Sequence, residues 1–168
     1  ERAGIVPDIV TLSKSIGGYG LPFALTLFKP ELDVWSPGEH NGTFRGNQLS
    51  MVAAKAGIEF MLNDNVIDQV RAKEKIVSKF LNEEIKPLDD RIDIRGIGLM
   101  WGIDFNAIPG EPLAGKAVHA CFERGLIAEC AGRRNNVLKV MPPLIIENEL
   151  LEEGLGKLKD AVASVLKA

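Results

Sequence analysis

The sequence predicts an α/β fold in two parts. Two short apolar runs near the start of the chain, and three more after residue 90, have the length and composition of buried strands. Longer stretches between and after them carry apolar residues at helical spacing. With 168 residues, of which 46% are hydrophobic and 26% are charged, the chain is large enough to bury a core.

The first part, residues 1–64, begins with a predicted strand at 8–12. Glycines 17, 18 and 20, with Pro22, end this strand and predict a loop after it. A second predicted strand covers 23–28. Residues 29–47 are rich in turn-forming residues and predict a loop. From residue 48 to 62 the apolar residues recur at helical spacing, so we expect a helix there.

The second part, residues 65–168, opens with a predicted long helix that Pro87 ends. Its later elements predict a compact α+β unit of strands with covering helices. Three glycines in the run 92–105 are expected to mark bends or bulges of a single strand. The predicted elements of this part are a helix at 65–85, a strand at 92–105, a helix at 114–124, strands at 126–130 and 137–146, and a helix at 147–166.

Composition narrows the classes of function. The net charge is -3 and no basic cluster interleaves with aromatic residues, so we expect no nucleic-acid partner. No apolar run approaches the roughly 18 residues of a membrane span, and we see no signal peptide. Cys121 and Cys130 predict neither a disulfide framework nor a metal site, which favours the cytoplasm. Because the chain opens at Glu1 without a methionine, we expect it to be the C-terminal portion of a longer protein.

The segment "DIVTLSKSIGG" carries the main candidate for chemistry. Lys14 follows a predicted strand directly, stands between two serines, and precedes glycines that allow close approach of a ligand to the backbone. One interpretation is a solvated loop lysine beside a turn. The other is an amine held for Schiff-base chemistry, for which partial desolvation or nearby positive charge lowers the pKa of lysine. The residues alone leave both open.

This segment resembles the lysine segment of the class III, fold-type I pyridoxal-phosphate aminotransferases. Asp8, Ser13, Lys14, Gly17 and Gly18 match the family pattern. The resemblance continues in order along essentially the whole chain, through "HNGTFRGN", "RGIGLMWGIDF", "GLIAEC" and "VLKVMPPLIIENELLEEGLGKL". Such collinearity is more specific than any one motif and favours the cofactor interpretation of Lys14.

The resemblance implies a fold, a cofactor and three site residues. Residues 1–64 would be the end of the pyridoxal-phosphate-binding large domain, and 65–168 a linking helix with the small C-terminal α+β domain. Lys14 would bind pyridoxal 5'-phosphate covalently and move a proton during catalysis, with Ser13 beside it. Thr43 would reach the cofactor phosphate across a subunit interface, so a homodimer at least is implied. Without the resemblance, the sequence around Thr43 indicates only an ordinary turn residue before a helix.

Two further residues bear on the substrate. The loop "EHNGTFRGN" resembles that of diaminobutyrate–2-oxoglutarate aminotransferases of the ectoine-pathway type, which exchange an amino group between diaminobutyrate or glutamate and the matching oxo compounds. Arg45 can pair with a substrate carboxylate, or it can brace the loop through backbone carbonyls. Lys139 stands where several relatives place an arginine that grips the carboxylate of 2-oxoglutarate. A lysine lacks the planar guanidinium that binds a carboxylate at two points, so the usual carboxylate clamp of the family is in doubt here.

The sequence leaves two alternative functions open. The first is another class III activity on acetylornithine, ornithine or 4-aminobutyrate. The second is a non-catalytic domain derived from such an enzyme. The family places its aspartate for the pyridine nitrogen upstream of the lysine, and no counterpart stands in this sequence. We therefore expect the chain to be inactive by itself.

Overall fold

The computed structural model describes residues 3–18 and 20–167. It divides into two compact units, Glu1–Asn65 and Val66–Ala168. Both contain helices and strands, so the predicted α/β class is confirmed. The assignment of the two units to the domains of a larger enzyme stays a prediction.

The first unit contains a two-stranded antiparallel sheet and one helix. Strand β1 (Ile9–Leu12) pairs with β2 (Leu25–Phe28), and α1 spans Gln48–Asn63. Asn47 caps α1 by accepting a hydrogen bond from the Ser50 amide at 3.1 Å. The buried residues of α1 are Ser50 and Ala54, so its predicted apolar positions lie mostly exposed in this chain.

The second unit is a four-stranded antiparallel sheet with three helices. The strands are β3 (Asp93–Ile97), β4 (Met100–Asp104), β5 (Glu129–Ala131) and β6 (Val137–Val140), in the sheet order β3-β4-β6-β5. The helices are α2 (Val66–Phe80), α3 (Leu113–Glu123) and α4 (Asn148–Leu166). A wider turn, Leu81–Ile85, and a 3₁₀ turn, Lys86–Leu88, extend α2 to the region of Pro87.

The core of the second unit lies between the sheet and its helices. The aligned row Ile94, Ile103, Leu138 and Cys130 crosses all four strands and belongs to this core. Helix α3 contacts β5, β6 and α4, and α2 contacts α4. The next row of the sheet, on the opposite face, is Arg95, Gly102, Lys139 and Glu129, because neighbouring residues of a strand point to opposite faces.

Two predicted strands were wrong in extent. The run 92–105 is a hairpin of two strands and not one bent strand, because Gly98 adopts a φ of 58° and turns the chain. The strand predicted at 137–146 ends at Val140, where Pro142 and Pro143 remove the backbone donors that a ladder needs. The remaining helix and strand positions agree with the structure within a few residues.

Candidate functional site

Lys14 lies directly beyond the end of β1. Ser13 is extended, with φ -155° and ψ -167°, and Lys14 then begins the 3₁₀ turn Lys14–Gly17. The Lys14 side chain is exposed. Within residues 3–18 and 20–167 no hydrogen bond or ion pair holds its ammonium group. Since no described residue pairs with it, this amine near a strand end is available to an external group.

The backbone of Lys14 is in the left-handed region, with φ 60°. Among the described residues three non-glycine positions have positive φ, and the other two, Asn65 and Asn135, are asparagines, which tolerate it. A lysine in this region is strained by roughly 1 kcal/mol. Strain of this kind concentrates at functional sites, and here it falls on the lysine that the sequence singles out.

A cavity of about 1480 Å³ lies in the first unit and brings three of the site candidates together. Ser13, Thr43 and Arg45 all line it, while Lys14 does not. Asp33 is the one carboxylate among the described residues of its wall. Hydroxyls beside a wall nearly free of acids suit a phosphate ester. Ser13, which lines this wall, directly precedes Lys14, and the amine of a lysine suits an aldehyde. The donor set therefore fits a phosphorylated aldehyde cofactor.

Arg45 folds back onto its own loop. Its guanidinium donates a hydrogen bond to the carbonyl of His40, which is the contact that loop bracing requires. His40 in turn stacks on Trp35, with ring centroids 5.4 Å apart. Substrate binding by Arg45 stays a prediction.

Lys139 belongs to the second unit. It lies on β6, opposite Glu129 of β5, and its ammonium is bonded to the Glu129 carboxylate. The Lys139 side chain is 27% exposed and that of Glu129 is 68% exposed. Hydrogen bonding and the charge of Lys139 hold the pKa of Glu129 below its ordinary value. A substrate carboxylate at Lys139 would therefore compete with Glu129.

Lys73 is a notable polar residue that the sequence reasoning missed. It is 7% exposed on α2, and its ammonium donates to the Leu144 carbonyl at 3.1 Å. The sequence contains an indication of this burial, because Lys73 falls on the same helical face as Val66, Val70 and Val77. A charged residue on an apolar stripe indicates a buried, hydrogen-bonded amine.

Three further features bear on other kinds of site. In the part of the chain that the structure describes, no cluster of three or more His, Cys, Asp or Glu is arranged to hold a metal ion. No helix among those residues is long and apolar enough to cross a membrane. Cys121 and Cys130 are both free, and burial raises the pKa of the Cys121 thiol, which keeps it protonated.

Comparisons with known proteins agree with this geometry. The chain is 46% identical over 168 residues to a diaminobutyrate–2-oxoglutarate transaminase of Wolinella succinogenes, covering 99% of the chain and 38% of that relative. The chain thus spans well under half the length of this relative. Among solved structures it resembles acetylornithine aminotransferase of Elizabethkingia anophelis, with a TM-score of 0.79 and 28% identity, over 97% of this chain and 42% of that one.

A second solved structure supports the fold alone. Ornithine aminotransferase of Toxoplasma gondii, described with partial occupancy of PLP at its active site, aligns with a TM-score of 0.84 at 24% identity, over 98% of this chain and 38% of that one. The family model of class III aminotransferases matches residues 1–162 of the 168. The chain therefore belongs to the class III aminotransferase family.

Proposed function

We propose that the whole protein is a pyridoxal-phosphate-dependent aminotransferase of diaminobutyrate and 2-oxoglutarate. It would exchange an amino group between diaminobutyrate or glutamate and the corresponding oxo compounds, aspartate semialdehyde and 2-oxoglutarate. The observation that carries the proposal is the strained backbone of Lys14, whose ammonium has no partner among the described residues, directly after Ser13 in the wall of a cavity that Thr43 also lines. The 46% identity to a diaminobutyrate transaminase supports the choice of substrate.

Each proposed residue has a distinct task. Lys14 supplies the amine that holds the cofactor aldehyde and moves a proton at the substrate carbon that carries the amino group. Ser13 supplies a hydroxyl for the phosphate of the cofactor on its own chain, and Thr43 supplies a hydroxyl to a cofactor phosphate across the subunit interface. Pyridoxal phosphate, when bound, supplies the electron sink for breaking the bond at that carbon.

Lys139 on β6 is proposed to attract the carboxylate of the 2-oxo acid. The ammonium of Lys139 is bonded to Glu129 in this structure, so a substrate carboxylate would have to displace the Glu129 carboxylate. As a point charge without a planar fork, it would select a carboxylate less strictly than an arginine. Lys139→Ala should raise the KM of the 2-oxo acid more than it lowers kcat.

The wider setting is also proposed from the family resemblance. We place the protein in the cytoplasm as a homodimer at least, with the ectoine pathway as its context. Gel filtration of the full-length protein tests the dimer, and elution at the mass of one subunit would contradict it.

A spectroscopic experiment tests the cofactor proposal. The full-length protein should be yellow when purified with pyridoxal phosphate, and borohydride should abolish the colour and leave the reduced cofactor on Lys14. Lys14→Ala should give a folded protein without that label. Thr43→Ala serves as a comparison that weakens binding but keeps the label on Lys14. Label on another lysine, or on none, would refute the proposal.

A second candidate, activity on acetylornithine or a related donor, has support from one solved structure. The chain aligns with an acetylornithine aminotransferase at 28% identity over 97% of its length. A panel of amino donors assayed with 2-oxoglutarate separates the two candidates. A higher kcat/KM for diaminobutyrate than for ornithine, acetylornithine and 4-aminobutyrate supports the first, and the reverse order supports the second. A non-catalytic domain predicts no turnover of any donor and no label.

A further inference from the structure

The loop between β2 and α1 closes on itself through Arg45. The Arg45 guanidinium donates to the carbonyl of His40, and the Arg45 amide donates to the carbonyl of Gly42 at 3.1 Å. The side-chain stem lies over Gly42, where an added Cβ would be 3.5 Å from the Arg45 Cγ. Thr43 stands inside the turn that these contacts close. Arg45 therefore defines the backbone on both sides of Thr43.

The residue that Arg45 holds is itself anchored to the sheet. The His40 ring stacks on Trp35 at an interplanar angle of 29°. Trp35 meets Phe28 of β2 edge to face, with centroids 5.3 Å apart. Both geometries are favourable for aromatic pairs. The hydrogen bond from Arg45 to His40 thus links the Thr43 turn to a strand through two ring contacts.

The other end of the loop is fixed to α1. Asn47 caps the helix, and Ser50, which is fully buried, donates from its hydroxyl to the Pro22 carbonyl at 3.1 Å. Pro22 precedes β2, so this contact returns the chain to the same sheet. With both ends held, the contacts that Arg45 makes with His40 and Gly42 are the ones that close the turn around Thr43.

We infer that Arg45 is a positioning residue that orders the Thr43 turn for the cofactor phosphate, and that it does not grip the substrate carboxylate. This inference rests on the proposed function. A guanidinium presents several donors in a rigid fork, and here part of that fork is already bonded to the loop's own carbonyl. Ordering the turn before binding removes an entropy cost that the cofactor would otherwise have to offset.

The test compares two ligands that differ by one group. Dissociation constants of pyridoxal phosphate and of pyridoxal, which lacks the phosphate, are measured by absorbance on full-length wild type and Arg45→Gln. We expect the variant to bind pyridoxal phosphate about 5- to 30-fold more weakly, the effect of losing one or two hydrogen bonds. Pyridoxal affinity should change less than about twofold. At saturating cofactor, the KM of the 2-oxo acid should stay at the wild-type value.

Two further variants sharpen the result. Arg45→Lys keeps the charge but not the fork, so it should show a smaller loss of the same phosphate-specific kind. Combining Arg45→Gln with Thr43→Val should cost less than the sum of the single losses, because both act on one phosphate contact. Arg71→Gln is the matched control, since Arg71 is an exposed arginine that pairs with Asp68 on α2. It should leave both dissociation constants unchanged.

The possible outcomes separate the inference from the proposal beneath it. A raised KM for the 2-oxo acid with unchanged cofactor affinities would make Arg45 a substrate ligand and overturn the inference. Equal loss of both cofactor forms would indicate general damage to the fold and would also overturn it, as would full additivity with Thr43→Val. Wild type that binds neither cofactor form would instead refute the proposed function, and the inference would fall with it.

Discussion

Replacing Gly96 with alanine should destabilise the second unit strongly. An added Cβ at Gly96 would lie 2.4 Å from Cδ2 and 2.5 Å from Cγ of Trp101, and 2.6 Å from the carbonyl oxygen of Met100. Gly96 and Trp101 are directly paired in the β3–β4 hairpin, so the indole lies across the bare backbone of the glycine. The indole also donates to the carbonyl of Gly98 at 2.8 Å.

The magnitude follows from these contacts. Overpacking against a ring typically costs about 1–3 kcal/mol, and here a backbone oxygen must also move. Displacing the indole forfeits its hydrogen bond, worth about 1 kcal/mol. We therefore expect Gly96→Ala to lower the free energy of unfolding by about 2–4 kcal/mol. The tryptophan emission spectrum should shift as the Trp101 ring moves.

Urea unfolding followed by circular dichroism measures this change. Gly156→Ala is the matched control, because Gly156 lies within α4 and an added Cβ there meets nothing within 4 Å. That variant should be more stable than wild type by about 0.5–1 kcal/mol, since alanine favours the helix. If Gly96→Ala and Gly156→Ala shifted the unfolding midpoint in the same direction, the packing argument at Trp101 would be wrong.

Two other predictions concern acid stability and the lysine segment. The Asp89 carboxylate accepts hydrogen bonds from the Arg91 side chain and amide. These bonds hold the pKa of Asp89 well below its ordinary 3.8. The stability that this carboxylate contributes is therefore fully present above the ordinary pKa and is lost as pH falls through the lower pKa of the folded state. Asp89→Asn should therefore lower the urea midpoint at pH 7 and reduce its fall below pH ~4; an unchanged midpoint at pH 7 would contradict this. Gly18 has φ 68° and an added Cβ would lie 3.0 Å from the Ala53 carbonyl of α1, whereas Gly20 has φ 89° and open space. Gly18→Ala should thus destabilise the first unit by about 1–2 kcal/mol more than Gly20→Ala in urea unfolding, and equal losses would exclude the contact with α1 as the cause.

Local signals in the sequence located most elements but not their ends or partners. The apolar spacing of 48–62 predicted α1, yet the residues it buries are Ser50 and Ala54, because helical periodicity reports an apolar face and not what covers it. The run 92–105 has alternation on both sides of Gly98, so nothing local distinguished a bent strand from a hairpin. Only the pairing of Gly96 with Trp101 reveals why that glycine is required.

The residues of the candidate site were predictable from the sequence, but their contacts were not. The resemblance selected Ser13, Thr43 and Arg45, and the structure brings these three to one cavity although Thr43 lies 30 positions after Ser13 in the sequence. The contact between Arg45 and His40 was one of two open alternatives, since residue type alone does not choose between a ligand and a loop carbonyl. Lys139 lies in the other compact unit, and its partner Glu129 follows from strand register, which the sequence does not specify.

Lys14 offers a test of whether its residue type serves folding or chemistry. At φ 60° a glycine relieves the steric strain that lysine and alanine share, so Lys14→Gly should be more stable than Lys14→Ala by about 0.5–1 kcal/mol. Among the described residues no hydrogen bond or ion pair of the lysine side chain offsets its strain, so Lys14→Gly should also equal or exceed wild type in urea unfolding. Both variants should lose the borohydride-fixed label in the full-length protein. If Lys14 serves chemistry, replacing it should not reduce stability but should abolish attachment of the cofactor. A Lys14→Gly protein less stable than both wild type and Lys14→Ala would show that the left-handed backbone is not strained, and the structural argument for Lys14 would fail.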